Sequence, residues 1–187
     1  MTSSSLIQPA DVLRFWFEEL EPKDWWTGGA SLDAQITERF GALVTQALAG
    51  ELYAWRETPQ GRLAEILCLD QFPRNIFRGT GQAFAGDALA LVLAQEAVLG
   101  GHDAALEGSQ RHFLLMPFMH SESLVIHRWA DTLFRAAGFG DDMQFLIDHT
   151  EVIERFGRYP SRNAALGRQS TPEELSYLET GHTWGQG

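Results

Sequence analysis

The chain has 187 residues, 44% hydrophobic and 21% charged, which is enough to build a sizeable core and too apolar for wholesale disorder. A formal charge of −11 at pH 7 excludes a broad basic face, and with it non-specific nucleic-acid binding. The only cysteine, Cys68, excludes an intrachain disulfide and a thiolate metal cluster.

The N-terminal stretch Met1-Thr2-Ser3-Ser4-Ser5-Leu6-Ile7 carries no basic n-region and no long apolar run, so no secretory signal is expected. The longest apolar runs, such as Ala88–Leu93, fall far short of a membrane span. The expectation is a cytoplasmic protein with no membrane partner, folded as one helical domain over residues 1–187, with 1–8 and 181–187 as flexible ends.

Helix signals follow one another in chain order. Pro9 suits a first helical position, and Val12, Leu13, Trp16, Phe17 and Leu20 recur at helical spacing. A turn containing Trp25-Trp26 and Gly28-Gly29 comes next. Ser31 then caps a helix carrying Ile36, Phe40, Leu43, Val44 and Leu48, which Gly50 stops. Thr58-Pro59 opens a helix that continues to Pro73. Another runs from about Phe84 to Leu99 and is closed by Gly100-Gly101. Ser109 opens a short helix that Pro117 ends. Ser121 caps a longer one, with Glu122 in its first turn and Gly138 after its end. Asp141 or Asp142 caps the next, ended by Gly157. Thr171-Pro172-Glu173-Glu174 matches a capping box. Strand signals are weak. The expected fold is all-α, with about eight helices in antiparallel helical hairpins.

Three places put polar groups on apolar faces. Asp70 shares a stripe with Leu63, Ile66 and Leu67, and Arg74 lies four residues on, in reach for an ion pair. That pair is either architectural or part of a site. His149 has Phe145, Leu146, Val152, Ile153 and Phe156 at helical spacing, so its imidazole points inward. It is either a satisfied core histidine or a tuned acid–base group. His120 sits in Met116-Pro117-Phe118-Met119-His120-Ser121-Glu122, at an expected interhelix corner.

The basic residues are 13 Arg and one Lys, Lys23. That bias favours bidentate pairing, or else follows from a GC-rich genome. Arg155, Arg158, Arg162 and Arg168 fall between residues 155 and 172 with no acid among them, in a turn-rich segment. They suit a carboxylate or phosphate ligand, or pairing with acids elsewhere such as Asp70 and Glu122.

Leu69-Asp70-Gln71-Phe72-Pro73-Arg74-Asn75 resembles the LDQFPRN signature of the bacterial DUF924 family. Residues 116–122 resemble its MPFxHSE motif. His149 with Arg155-Phe156-Gly157-Arg158-Tyr159-Pro160-Ser161-Arg162-Asn163 and Leu166-Gly167-Arg168 resembles its H…RFGRFPHRN…LGR block. Phe15-Trp16-Phe17 and Trp25-Trp26 also fit, so the resemblance runs from about Val12 to Leu178. It implies a TPR-like helical fold and carries no activity with it. Ser161 stands where the family usually has His.

The leading functional expectation is an enzyme or binder for a small anionic ligand, a carboxylate or phosphate. Arg74, Arg158, Arg162, Asn163 and Arg168 would bind it. His149 or His120 would act as general acid/base, oriented by Glu122 or Asp70, and Trp and Phe residues would wall the pocket. The alternative is a non-catalytic, TPR-like module for a peptide or protein. A metal site on His120, Glu122, His149 and Asp70 is disfavoured by the nearby arginines, so neither a metal nor a cofactor is expected. Trp25-Trp26 is read either as a homodimer patch or as core.

Overall fold

The computed structural model describes residues 6–140 and 143–180, and every described element is helical. The ends expected to be flexible fall largely outside these residues, as does the cap expected at Asp141 or Asp142.

Helix α1 (Pro9–Arg14) opens on a capping box between Gln8 and Asp11. It widens into a π turn at Phe15–Glu19 that drives Phe15 and Trp16 into the core. A short α2 (Asp24–Thr27) follows, then α3 (Ala30–Leu48), which buries Leu32, Ile36, Phe40, Leu43, Val44 and Ala47 along one stripe. Helix α3 starts one residue before the expected cap at Ser31, with Gly29 at the N-cap.

Helix α4 (Pro59–Asp70) is the central element. The Thr58 hydroxyl accepts from the Gly61 N–H, and every residue from Leu63 to Asp70 is buried. It packs against α1, α3, α6 and α7. A stop at Asp70 and a restart as α5 (Phe72–Ile76), with Pro73 in the first turn, replace the single expected helix. The break turns Phe72 into a cluster with Phe15 and Phe40, at centroid distances of 6.2 and 5.0 Å.

Helix α6 (Asp87–Leu99) begins three residues later than expected, because Gly81–Phe84 forms a separate 3₁₀ turn. Gly81–Leu99 is long and apolar enough by composition to be a candidate membrane span. Its α-helical part has only 13 residues, about 20 Å at 1.5 Å per residue against the roughly 30 Å of a bilayer core. Gly86 lies directly on the Leu69 carbonyl, where an added Cβ would come within 2.3 Å of the oxygen. This close approach carries the first residue of α6, Asp87, to the end of α4.

Helix α7 (Gly108–His120) passes straight through Pro117, where the sequence pattern places its end. Proline removes one ladder hydrogen bond, but residues His112 to His120 are all buried, and that packing outweighs the local cost. His120 is therefore the last residue of a helix, and Ser121–Ser123 make the corner. Ser123, not Ser121, is the N-cap of α8 (Leu124–Ala137), so Glu122 lies outside that helix. Gly138, in the left-handed conformation, closes α8 as expected. Helix α9 (Met143–Phe156) buries Leu146, His149, Val152 and Ile153. Helices α6 and α7, α7 and α8, and α8 and α9 pack as successive neighbours. A 3₁₀ turn at Pro160–Arg162 and a loop lead to α10 (Pro172–Thr180). The predicted capping box is formed: Thr171 N–H donates to Glu174 at 2.7 Å, and Glu174 N–H to the Thr171 hydroxyl at 3.2 Å.

Candidate functional site

The break between α4 and α5, the last turn of α7 and the start of α6 converge on one closed ring of polar groups. Asp70, fully buried at the end of α4, accepts from His120 Nδ1 at 2.7 Å and from the Gln71 amide at 2.5 Å. Arg74 lies 3.3 Å from the same carboxylate and also donates to the Asp70 carbonyl. Its other guanidinium nitrogen reaches Asp87 at 3.0 Å. Arg162 donates to Asp87 and to the His120 carbonyl, each at 3.0 Å, with its guanidinium between the rings of Phe84 and Tyr159, 4.7 Å from each. The ring therefore runs Asp70, His120, Arg162, Asp87, Arg74 and back to Asp70. Two carboxylates face two guanidiniums, which is the condition under which buried charge is tolerated.

Electrostatics inside the ring fix its protonation. Burial alone would raise the Asp70 carboxyl, but Arg74 and His120, with the hydrogen bonds from His120 and Gln71, hold it well below the usual carboxylate range. An ionised Asp70 can only accept, so His120 carries its proton on Nδ1. Burial lowers His120 from its ordinary value, with Asp70 opposing and Arg74 reinforcing the shift. The imidazole is then neutral near pH 7, and its Nε2 lone pair has no hydrogen-bond partner among the described residues. Such a nitrogen can take up a proton.

Beside the ring lies a cavity of about 520 Å³, within the roughly 300–1,000 Å³ of small-molecule sites. Its polar wall is Gln71, Arg74, Asn75, Arg78, His120 and His149, with His112 deeper along α7. Trp25, Trp26, Phe84, Phe145, Met116 and Met119 make the apolar wall. Among the described residues, no aspartate or glutamate lines it. The acids stand one layer behind: Asp33 grips Arg78 at 2.9 Å through two nitrogens and takes a 2.9 Å bond from Asn75, while Asp70 and Asp87 stand behind Arg74. Gly28 has a φ of +56°, and an added Cβ would come within 2.9 Å of the Arg78 guanidinium, so the residue opens room for that head. His149 donates from Nδ1 to the Phe145 carbonyl at 2.7 Å, and burial holds it down to about 3, neutral at ordinary pH.

The remaining residues singled out in the sequence stand elsewhere. Arg158 binds Glu174 through two nitrogens at 2.7 and 2.9 Å, and Asn163 reaches Ser170 and Glu174. Arg168 binds both oxygens of Glu122, which also accepts the Tyr159 N–H. The Glu122 contacts tie the 157–174 segment to the α7–α8 corner, the Glu174 contacts close the segment on itself, and none of these residues lines the cavity. Arg155 pairs with Glu173. Ser161 is half-buried in the 3₁₀ turn and does not line the cavity. Among the described residues, no group of three or more His, Cys, Asp or Glu is placed to hold a metal ion.

Sequence reasoning missed Asp87, Arg78, Asn75 and His112. An acid in a first helical turn is explained by the helix dipole alone, so Asp87 carried no separate signal. Arg78 stands four residues after Arg74, and that spacing was a usable hint.

The DUF924 profile, described as bacterial protein of unknown function, matches residues 12–182. The chain belongs to the DUF924 family. The chain is similar to a solved structure of a protein of unknown function, ATU0120 from Agrobacterium tumefaciens, at 40% identity, with a TM-score of 0.87 over 92% of this chain and 97% of the other. No curated protein matches the chain.

Proposed function

We propose that this DUF924 protein is an enzyme or binder for a small anionic molecule held in the 520 Å³ cavity, with His120 as general acid/base and Asp70 as its positioning residue. One observation carries the reading. In a chain of net charge −11, the cavity wall holds, among the described residues, two arginines and three histidines and no carboxylate. Guanidinium N–H donors on such a wall favour an anion as their hydrogen-bond partner.

The wall also limits the chemistry. Among the described residues its only side-chain hydroxyl is Thr27, and it contains no Ser, Cys, Lys or Tyr. A base at His120 Nε2 would therefore act on water or on a proton of the ligand, not on a protein nucleophile. Arg158 and Arg168, expected to bind the anion, are engaged by Glu174 and Glu122 and lie off the cavity wall, so the reading rests on Arg74 and Arg78.

The test is calorimetry at pH 7 and low salt with acetate, benzoate, phosphate and pyrophosphate, on wild type and Arg78→Gln. At least one anion binds, and Arg78→Gln weakens it about tenfold or more, as expected when one charge-assisted hydrogen bond is removed. Absence of binding by every anion, or equal binding by both proteins, refutes the proposal.

A further inference from the structure

The anion site has two features that go beyond its sign, and together they narrow the ligand. Each cavity arginine is already matched by an acid behind it: Asp33 on Arg78, and Asp70 and Asp87 on Arg74. The wall supplies directed N–H donors but little uncompensated positive charge. With three acids set against Arg74, Arg78 and Arg162, a single negative charge is held by directed hydrogen bonds, and a second adds desolvation cost and repulsion from the acids behind.

Part of the wall is aromatic and exposed. Trp26 of α2 and Phe145 of α9 lie nearly parallel, 6.1 Å between centroids and 10° between planes. They are 54% and 46% exposed, large for such rings. Trp25 meets Trp26 edge-on at 6.4 Å, and its indole N–H is tied to the Trp16 carbonyl at 2.8 Å. That bond fixes the ring against which Trp26 rests. Exposed aromatic surface at a cavity is a ready-made partner for another ring, and Met116 and Met119 add soft sulfur contacts.

We infer that the cavity takes an aromatic monocarboxylate, its ring against Trp26 and Phe145 and its carboxylate toward Arg78 and Arg74. This rests on the anion reading above and names its ligand class.

Four probes of one shape test it by calorimetry and tryptophan fluorescence at pH 8 and low salt: 2-naphthoate, the saturated decahydro-2-naphthoate, neutral 2-naphthamide and dianionic 2-naphthyl phosphate. The expected result is that 2-naphthoate binds and quenches the fluorescence. The saturated acid binds about two- to tenfold more weakly, the range of an aromatic-pair contribution. The amide and the phosphate are each weaker by about tenfold or more, because the amide cannot accept a charge-assisted hydrogen bond and the phosphate brings a charge with no counterpart. Trp26→Leu combined with Phe145→Leu, both surface changes, brings the two acids to equal affinity. Equal binding of the two acids by wild type, a preference that survives the double substitution, or tighter binding of the phosphate overturns the aromatic monocarboxylate and leaves the anion reading standing. An amide that binds as well as the acid, or silence from all four probes, overturns both.

Discussion

Replacing Asp70 by Asn keeps the shape of the most buried member of the polar ring and removes its charge. In the native ring that carboxylate receives His120 at 2.7 Å, Gln71 at 2.5 Å and the Arg74 guanidinium at 3.3 Å, with no exposure to solvent. After the change, Arg74 and Arg162 share Asp87 alone, and one buried guanidinium is uncompensated. Breaking a buried pair on one side costs about 3–5 kcal/mol. For a chain of this length that corresponds to a fall in Tm of roughly 10 °C, at about 2–4 °C per kcal/mol. The pH dependence has a definite sign. Asp70 is held below its ordinary value, so its contribution is complete above the unfolded carboxylate range and disappears as the pH falls through the folded value. The gap between wild type and Asp70→Asn is therefore widest near neutrality and narrows in strong acid. Urea unfolding of both proteins at pH 7 and at successively lower pH measures it. A difference below about 1 kcal/mol at pH 7 would show that the ring is a weak surface-like network and refute the burial argument.

Arg158→Ala and Arg168→Ala leave anion binding unchanged, while Arg158→Ala lowers the urea midpoint because Glu174 is buried and is left without its main partner, as calorimetry and urea titration on the same preparations can check. Gly86→Ala pushes α6 off the Leu69 carbonyl and costs roughly 1–3 kcal/mol, the range of overpacking, with a Tm shift as the readout. His149 folds with its pKa at about 3, so between the unfolded histidine value and that point the unfolded chain binds the extra proton and stability falls as pH drops, by roughly 1.4 kcal/mol per unit. His149→Gln flattens that slope in acid-unfolding curves, and an unchanged slope counts against a buried neutral imidazole.

The parts of this fold that were legible in the sequence are those set by local chemistry. Thr171–Glu174 closes its capping box, Thr58 caps α4 and Gly138 ends α8, because each answers to backbone groups a few residues away. Asp70, His120 and His149 stood out because a polar side chain on an apolar stripe is a local inconsistency that a distant partner must resolve. What failed depended on tertiary packing. Pro117 reads as a helix stop, yet α7 is held on all sides and runs on to His120. The arginines at 158, 162 and 168 read as one cluster in a sequence window. In space they part toward Glu174, Asp87 and Glu122, acids that come from α10, α6 and the α7–α8 corner.

Asp87 explains why a site and a structural network are not competing accounts of the same residues. It binds Arg74 on one side and Arg162 on the other, and Arg162 in turn holds the His120 carbonyl. The side chain of His120 is fixed by Asp70 and its backbone by Arg162, so the imidazole is immobilised from two directions. Rigid support of that kind is what an acid–base group needs to hold its Nε2 at one place in a cavity wall. The same carboxylates that balance the arginines limit the uncompensated charge of that wall. A wall whose arginines are balanced from behind is close to neutral, which favours a singly charged ligand over a doubly charged one.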